Sequence, residues 1–208
     1  MVGSARKRKQ QFTYGDLCTW PEGERWELID GIAYDMSPAP SKTHADLSGE
    51  LFFAFMSYLR GKPCKVYAAP FDVRLPDGKE SDSVVKNVVQ PDILVVCDEK
   101  KLDEKGCRGA PDLIIEILSP GTASKDCIQK RNLYEQHGVK EFWTVDPTNR
   151  LVHVYILGSD GQYGKPAVFT DCGMVTVSIF DDLKINLREV FPRQLKVVRE
   201  SPRKYLAE

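Results

Sequence analysis

Two short apolar runs, about twenty residues apart, constrain the fold of this chain more than any other feature. One is Pro91-Asp92-Ile93-Leu94-Val95-Val96, and the other is Pro111-Asp112-Leu113-Ile114-Ile115-Glu116-Ile117-Leu118-Ser119-Pro120. Both are rich in Ile, Val and Leu and are bounded by turn residues, which predicts two buried strands. Burying a carboxylate in such a strand is costly unless a partner or a cation compensates it. Asp92 and Glu116 therefore predict a site for a hard divalent cation, because magnesium and manganese prefer oxygen ligands.

Length and composition limit the class of protein. A chain of 208 residues that is 42% hydrophobic is long enough for one well-buried domain and too short to expect two. The formal net charge of -1 gives no global attraction to nucleic acid, although it leaves room for a local basic groove. No apolar run approaches the roughly 18 residues of a membrane span.

The six cysteines are scattered and contain no Cys-x-x-Cys pair. This spacing argues against a zinc ribbon and indicates no disulfide framework. We therefore expect free thiols, which fit a reducing cytoplasm.

The chain divides into one domain with a short segment at each end. Residues 1–11 are polar and contain the basic run Arg6-Lys7-Arg8-Lys9, so we expect a disordered tail, with a phosphate-binding arm as the alternative. Residues 12–192 form the expected domain, and residues 193–208 a C-terminal extension.

Periodicity and turn residues predict the elements of that domain. Asp30-Gly31 between two apolar segments is typical of a type I′ hairpin turn. Apolar side chains at every fourth position predict a helix from Thr43 to Arg60. The remaining predicted elements are a short helix over 12–20 capped by Thr13, strands over 92–97, 112–118 and 141–147, and a helix capped by Thr122 or Ser124 that ends at Gly138. Together they predict an α+β domain, a mixed central β-sheet flanked by helices.

Several phrases of this sequence, taken in order, resemble a known family. They are Trp26-Glu27-Leu28-Ile29-Asp30-Gly31, Met36-Ser37-Pro38-Ala39-Pro40 with His44, Gln90-Pro91-Asp92, the run Pro111–Pro120, Asp126 with Lys130 and Tyr134, and Gly138-Val139-Lys140-Glu141-Phe142-Trp143-Thr144-Val145-Asp146-Pro147. Their order and spacing resemble the Uma-two family of restriction endonucleases, within the PD-(D/E)XK nuclease superfamily. The resemblance covers roughly residues 12–192. It implies a restriction-endonuclease-like core.

The resemblance also implies a set of catalytic residues. Asp92 and Glu116 match the metal-binding carboxylates, which implies Mg²⁺ or Mn²⁺ as cofactor. The superfamily signature has a lysine two residues after the glutamate, where this chain has Leu118. The resemblance implies that Lys130 supplies the basic residue instead, and that Glu27 completes the metal ligands. It further implies DNA as the substrate and a homodimer as the assembly.

Supporting residues and alternative roles remain open from the sequence. Asp126 lies four residues before Lys130, a spacing at which the two could form an ion pair on a helix. Tyr134 could donate a hydrogen bond into the site or only pack in the core, and His44 could contact a phosphate or cap its helix. Asp92 could also simply begin a strand, and Glu116 could pair structurally with Lys130 alone.

The predicted activity is hydrolysis of DNA phosphodiester bonds by a metal-activated water. The alternative is a catalytically silent protein of the same fold that binds nucleic acid or a protein partner, since a fold does not determine a function. A third possibility is an enzyme acting on a smaller phosphate ester.

Overall fold

The structure is a computed structural model, and it describes residues 11–36, 39–119 and 123–191, without the side chains of residues 123–127. The expected C-terminal extension, and the expected basic tail apart from Gln11, lie outside these residues. The domain limits therefore stay predictions.

The described residues form four α-helices and fourteen strands. The helices are α1 (Tyr14–Leu17), α2 (Lys42–Leu59), α3 (Ala123–His137) and α4 (Leu187–Val190). The strands are β1 (Trp26–Ile29), β2 (Ile32–Asp35), β3 (Lys65–Ala68), β4 (Val73–Arg74), β5 (Val88–Val89), β6 (Ile93–Val96), β7 (Leu102–Asp103), β8 (Gly106–Arg108), β9 (Leu113–Ile117), β10 (Glu141–Asp146), β11 (Leu151–Ile156), β12 (Ala167–Thr170), β13 (Met174–Thr176) and β14 (Lys184–Asn186). Two short 3₁₀ turns lie at Asp82–Val84 and Glu99–Lys101.

A six-stranded mixed sheet forms the centre of the described structure, in the order β12-β11-β10-β9-β6-β3. Strands β9 and β10 are parallel, and the other neighbouring pairs are antiparallel. Helix α3 connects β9 to β10, because parallel neighbours need a crossover connection. The predicted α+β fold with a mixed central sheet flanked by helices is confirmed.

A second six-stranded sheet, in the order β2-β1-β5-β4-β8-β7, was not predicted. The hairpin of β1 and β2 belongs to this sheet rather than to the central one. Its turn has the predicted geometry, with positive φ angles of 52° at Asp30 and 74° at Gly31, as a type I′ turn requires. The hairpin thus places Glu27 on a sheet separate from the one that carries Glu116.

The two faces of the central sheet pack against different elements. Helix α2 covers one face with four buried residues, Leu47, Leu51, Phe55 and Leu59. Each such burial contributes roughly 1.5–3 kcal/mol relative to an exposed side chain. Helix α3 and the second sheet cover the other face. The functional side chains described below lie where β1, β6, β9 and the two long helices meet.

The expectation of six free thiols was wrong for one pair. Cys64 and Cys97 form a disulfide, with Cα atoms 3.9 Å apart. They directly flank the Lys65↔Val96 pair of the antiparallel strands β3 and β6, so folding brings them together despite 33 positions of separation. Cys18, Cys107 and Cys172 are free.

None of the helices in the described residues is long and apolar enough to cross a membrane.

Candidate functional site

Strand pairing brings Asp92 and Glu116 side by side. Strands β6 and β9 pair with Ile93 opposite Ile115, and the same antiparallel register continued by one residue sets Asp92 opposite Glu116. The carboxylate of Asp92 accepts a hydrogen bond from the backbone N–H of Ile117 at 2.7 Å. This bond fixes the Asp92 side chain against the end of β9.

Glu116 lies on the α3 face of the central sheet. Side chains alternate along β9: Ile115 and Ile117 pack toward α2, whereas Ile114 packs on the opposite face. Glu116 shares the face of Ile114, two residues before it on the strand. It is the least buried residue of its strand. Glu116 thus interrupts the apolar pattern of β9 on the face that packs against α3.

Lys130 links Glu116 to the second sheet. Its Nζ lies 3.1 Å from Oε1 of Glu116 and 2.8 Å from Oε1 of Glu27. All three side chains are at most 13% exposed. Lys130 therefore reaches the predicted carboxylates from helix α3, although the sequence places it fourteen residues after Glu116.

Tyr134 both packs in the core and donates a hydrogen bond into the site. The side chain is fully buried, and its hydroxyl donates a hydrogen bond to Oε1 of Glu116 at 2.6 Å. Lys130 and Tyr134 are four residues apart on α3, so they lie on the same face of the helix.

His44 contacts Asp92 rather than capping its helix. The N-cap of α2 is Ser41, whose hydroxyl accepts the backbone N–H of His44. The Nε2 atom of His44 lies 3.2 Å from Oδ1 of Asp92. Its Nδ1 atom is buried and has no hydrogen-bond partner among the described residues. The first turn of α2 thus places the imidazole ring of His44 against the Asp92 carboxylate.

The remaining predicted site residues divide into two groups. The side chain of Asp126 lies outside the described residues, so its pairing with Lys130 stays a prediction. Glu27 reaches the cluster through a buried contact, and its Oε1 also accepts the backbone N–H of Gln90 at 2.9 Å. No role was predicted for Gln90, although its position two residues before Asp92 makes it a neighbour of the site.

Burial has the largest effect on the electrostatics of Glu116. Burial raises the pKa of Glu116 to about 7. The Lys130 ammonium opposes this rise, while the negative charges of Asp92 and Glu27 add to it. Lys130 thus pairs with Glu116 and Glu27, while Asp92 pairs with His44.

The other titratable groups respond to these carboxylates. Burial by itself would lower the pKa of Lys130, but the adjacent Glu116 and Glu27 outweigh it and raise that pKa. The pKa of Tyr134 is raised well above its ordinary value by burial first and by Glu116 second. The hydrogen bond to Asp92 raises the pKa of His44 although burial opposes it.

The donor set suits a hard divalent cation held mainly by water and substrate. Among the described residues, no group of three or more His, Cys, Asp or Glu side chains is placed to hold a metal ion by itself. Magnesium commonly uses only one or two carboxylates, with waters and phosphate oxygens as the other ligands. Asp92 and Glu116 supply two such carboxylates, side by side on neighbouring strands. These residues fit magnesium or manganese.

Comparison with known proteins identifies the fold and the family. The fold is of the restriction-endonuclease-like class. The family model for Uma2, described as "Putative restriction endonuclease", matches residues 13–188, and the chain belongs to this family.

Two individual relatives are consistent with this assignment. A crystal structure of a "putative nuclease belonging to DUF820" from Anabaena variabilis is similar to this chain with a TM-score of 0.69 and 22% identity. The similarity covers 86% of this chain and 97% of that one, and at this identity it shows the fold alone. An uncharacterised protein of Synechocystis sp. is 26% identical over 147 residues, which are 69% of this chain and 73% of the relative.

Proposed function

We propose that this protein is a divalent-metal-dependent endonuclease that hydrolyses phosphodiester bonds of DNA, with Mg²⁺ or Mn²⁺ as its cofactor. The observation that carries the proposal is the contact of Lys130 with Glu116, directly beside Asp92. A carboxylate pair and an ammonium group in one place supply the two things that phosphate hydrolysis needs, a cation site and a hydrogen-bond donor for the phosphate.

Asp92 and Glu116 would hold the cation. When bound, the cation supplies stabilisation of the developing negative charge on the phosphate and lowers the pKa of a water molecule. The Oε2 atom of Glu116 accepts no hydrogen bond from a described residue, whereas Oε1 accepts from both Lys130 and Tyr134. Tyr134 and Lys130 thus fix the carboxylate in one orientation and leave its other oxygen for the cation.

Lys130 would act as the donor to the scissile phosphate. Its ammonium group has three N–H donors, and two of them face Glu116 and Glu27. The third can donate to a phosphate oxygen. In this way a lysine from α3 would take the role of the signature lysine, whose position in this chain is occupied by Leu118.

Glu27 and His44 would position the other groups. Glu27 holds Lys130 from the second sheet, and His44 holds Oδ1 of Asp92. Neither residue needs to change partner for the proposed chemistry, so both serve as orienting groups.

Calorimetric titration of manganese tests the cation site directly. We expect the wild type to bind manganese and the variants Asp92→Asn and Glu116→Gln to lose most of that binding. Glu99→Gln is a matched control, because Glu99 is an exposed carboxylate elsewhere in the chain. Equal binding by all four proteins would show that the cation does not bind at Asp92 and Glu116.

A cleavage assay tests the reaction. Circular and linear DNA incubated with magnesium or manganese should be cut by the wild type, and Lys130→Ala should lower the rate by at least about a hundredfold, the typical effect of losing one transition-state hydrogen-bond donor. Lys65→Ala, which removes an exposed lysine on the edge strand β3, should leave the rate unchanged. Cutting by Lys130→Ala at the wild-type rate would remove Lys130 from the mechanism.

A catalytically silent binding protein is the second candidate function. The specific observation in its favour is that Lys130 is already engaged by two carboxylates, in a chain with Leu118 at the signature position. It predicts binding of DNA without cleavage under every cation tested. Manganese binding that is unaffected by Asp92→Asn would also favour it.

We also propose a homodimer and a cytoplasmic location. A two-fold dimer would supply one centre for each strand of a duplex, and sedimentation measurements would determine the assembly. Intracellular DNA as substrate supports the cytoplasm, whereas the Cys64–Cys97 disulfide is a feature more common in oxidising compartments. Cell fractionation would decide between these.

A further inference from the structure

We propose that Arg25 binds a phosphate of the nucleic-acid strand beside the one that is cleaved. This inference rests on the proposed function, since it names a substrate contact of the same site. Arg25 is exposed and lies just before β1, two residues from Glu27.

Hydrogen bonds fix the Arg25 guanidinium close to the carboxylate cluster. Its Nε and Nη2 atoms donate to Oε1 of Gln90 at 3.1 and 2.8 Å. The amide of Gln90 is held in turn, because its Nε2 donates to Oδ1 of Asp72 at 2.8 Å. Gln90 is therefore an oriented acceptor, and the position of the guanidinium group is defined despite its exposure.

The same glutamine ties Arg25 to the centre. The backbone N–H of Gln90 donates to Glu27, the residue that pairs with Lys130. Two residues of chain span at most about 7 Å between Cα atoms. This limit applies to the Cα atoms of Arg25 and Glu27 and to those of Gln90 and Asp92. A substrate phosphate bound by Arg25 would consequently lie next to the proposed cleavage centre.

The charge of Arg25 is not neutralised by any carboxylate of the described residues. Four other arginines of the chain each form an ion pair with an aspartate or glutamate, namely Arg74, Arg108, Arg131 and Arg150. Arg25 instead contacts a neutral amide, so no carboxylate in contact with it offsets its positive charge. Of its five N–H donors, at most two are used on Gln90, and the others remain for a ligand.

A phosphate is the ligand that this arrangement fits. The guanidinium fork matches two phosphate oxygens at once, and binding a polyanion requires cations near the acidic centre whatever the total charge of the chain. Gln90 pre-orients the fork, which lowers the entropic cost of that contact.

DNA affinity measured against salt concentration tests the proposal. A fluorescent duplex would be titrated with full-length wild type, Arg25→Ala, Arg25→Lys and Arg60→Ala, with calcium present as a hard, oxygen-binding cation, and gels would check that the duplex stays intact. Arg60 is the matched control: it is also exposed and lies at the opposite end of α2 from His44, about 24 Å away along the helix. Thermal unfolding of each variant would verify its folding.

We expect Arg25→Ala to weaken binding about tenfold at low salt, the size expected for one charge-assisted hydrogen-bonded contact. The slope of log affinity against log salt should fall by about 0.9, the loss of one phosphate contact. Arg25→Lys should keep the wild-type slope while losing part of the affinity, because a lysine keeps the charge but not the fork. Arg60→Ala should match the wild type in both quantities.

Two other results would overturn the proposal in distinguishable ways. If the wild type binds DNA and Arg25→Ala equals Arg60→Ala in affinity and slope, Arg25 makes no phosphate contact and the proposed function is unaffected. If the wild type binds no DNA at all, both the substrate of the proposed function and this contact are wrong.

Discussion

The contact of Lys130 with two buried carboxylates predicts how the stability of this protein depends on pH. In the folded protein the pKa of Glu116 is about 7, above its ordinary value of 4.5. Between these values the folded state holds a proton that the unfolded state has released. The free energy of unfolding therefore falls as the pH rises from about 4.5 to about 7, by about 3 kcal/mol from this group, and is level above that range.

Replacing Lys130 with methionine removes the ammonium group that holds down the pKa of Glu116. At 3.1 Å and an effective dielectric constant of about 20, the attraction between Lys130 and an ionised Glu116 is about 5 kcal/mol before desolvation is subtracted. Breaking a buried ion pair by removing one partner costs about 3–5 kcal/mol. We expect a loss of that size at pH 8.5, where the wild-type pair is ionised and the variant must either bury an unpaired Glu116 carboxylate or protonate it against the pH.

At pH 5.5 the same substitution should cost distinctly less. Glu116 is then protonated, so the substitution removes only the contact with Glu27. In Lys130→Met the pKa of Glu116 rises further, and the free energy of unfolding should continue to fall with pH above 7 instead of levelling off.

Urea unfolding at a series of pH values measures these quantities. Lys65→Met is the control, because an exposed lysine should change stability by no more than about 0.5 kcal/mol at any pH. The double variant Lys130→Met/Glu116→Gln should lose the extra pH dependence, since no titrating carboxyl remains at position 116. An equal loss of stability at pH 5.5 and 8.5 for Lys130→Met would refute the charge pairing with Glu116.

Three further predictions concern other contacts of the fold. Glu27→Gln should lower the pKa of Glu116, because it removes a nearby negative charge; an NMR titration of the Glu116 carboxyl would detect this, and an unchanged or higher pKa would contradict it. Cys64→Ser, or reduction of the wild type, should lower the free energy of unfolding by about 3–4 kcal/mol, because the disulfide closes a loop between cysteines 33 positions apart. Identical urea midpoints with and without reductant would show that the bond is absent in solution. Ser41→Ala should cost about 1 kcal/mol by removing the N-cap of α2, as measured by thermal unfolding, whereas Ser57→Ala on the exposed face of the same helix should have little effect.

The sequence predicted the elements that have strong local signals. The hairpin at Asp30-Gly31 and helix α2 were confirmed with bounds within about one residue, because turn chemistry and helical periodicity are local properties. The strands β6 and β9 were likewise predicted from their unbroken apolar runs.

The second sheet could not be predicted in the same way. Strands β4 and β5 are two residues long each, at Val73–Arg74 and Val88–Val89, and two residues carry no alternation that could be recognised. Their pairing depends on tertiary contacts. The Cys64–Cys97 disulfide was missed for the same reason, since only the pairing of β3 with β6 brings the two cysteines together.

The candidate site was predictable in composition and not in geometry. The resemblance selected Asp92, Glu116, Glu27 and Lys130, and the structure brings their side chains together. Helical spacing alone could have put Tyr134 beside Lys130. The role of Gln90 as the link between Arg25 and Glu27 depends on backbone and amide hydrogen bonds across two strands, which no spacing in the sequence encodes.

The distribution of the site over two sheets also determines when it can form during synthesis. Glu27 and Lys130 are about a hundred positions apart in the chain, and their contact requires closure of that entire loop. A chain growing from its N-terminus acquires Glu27, Asp92 and Glu116 in turn, yet it cannot complete the cluster until α3 has left the ribosome. The proposed activity would therefore be absent from the nascent chain until α3 has joined the two sheets.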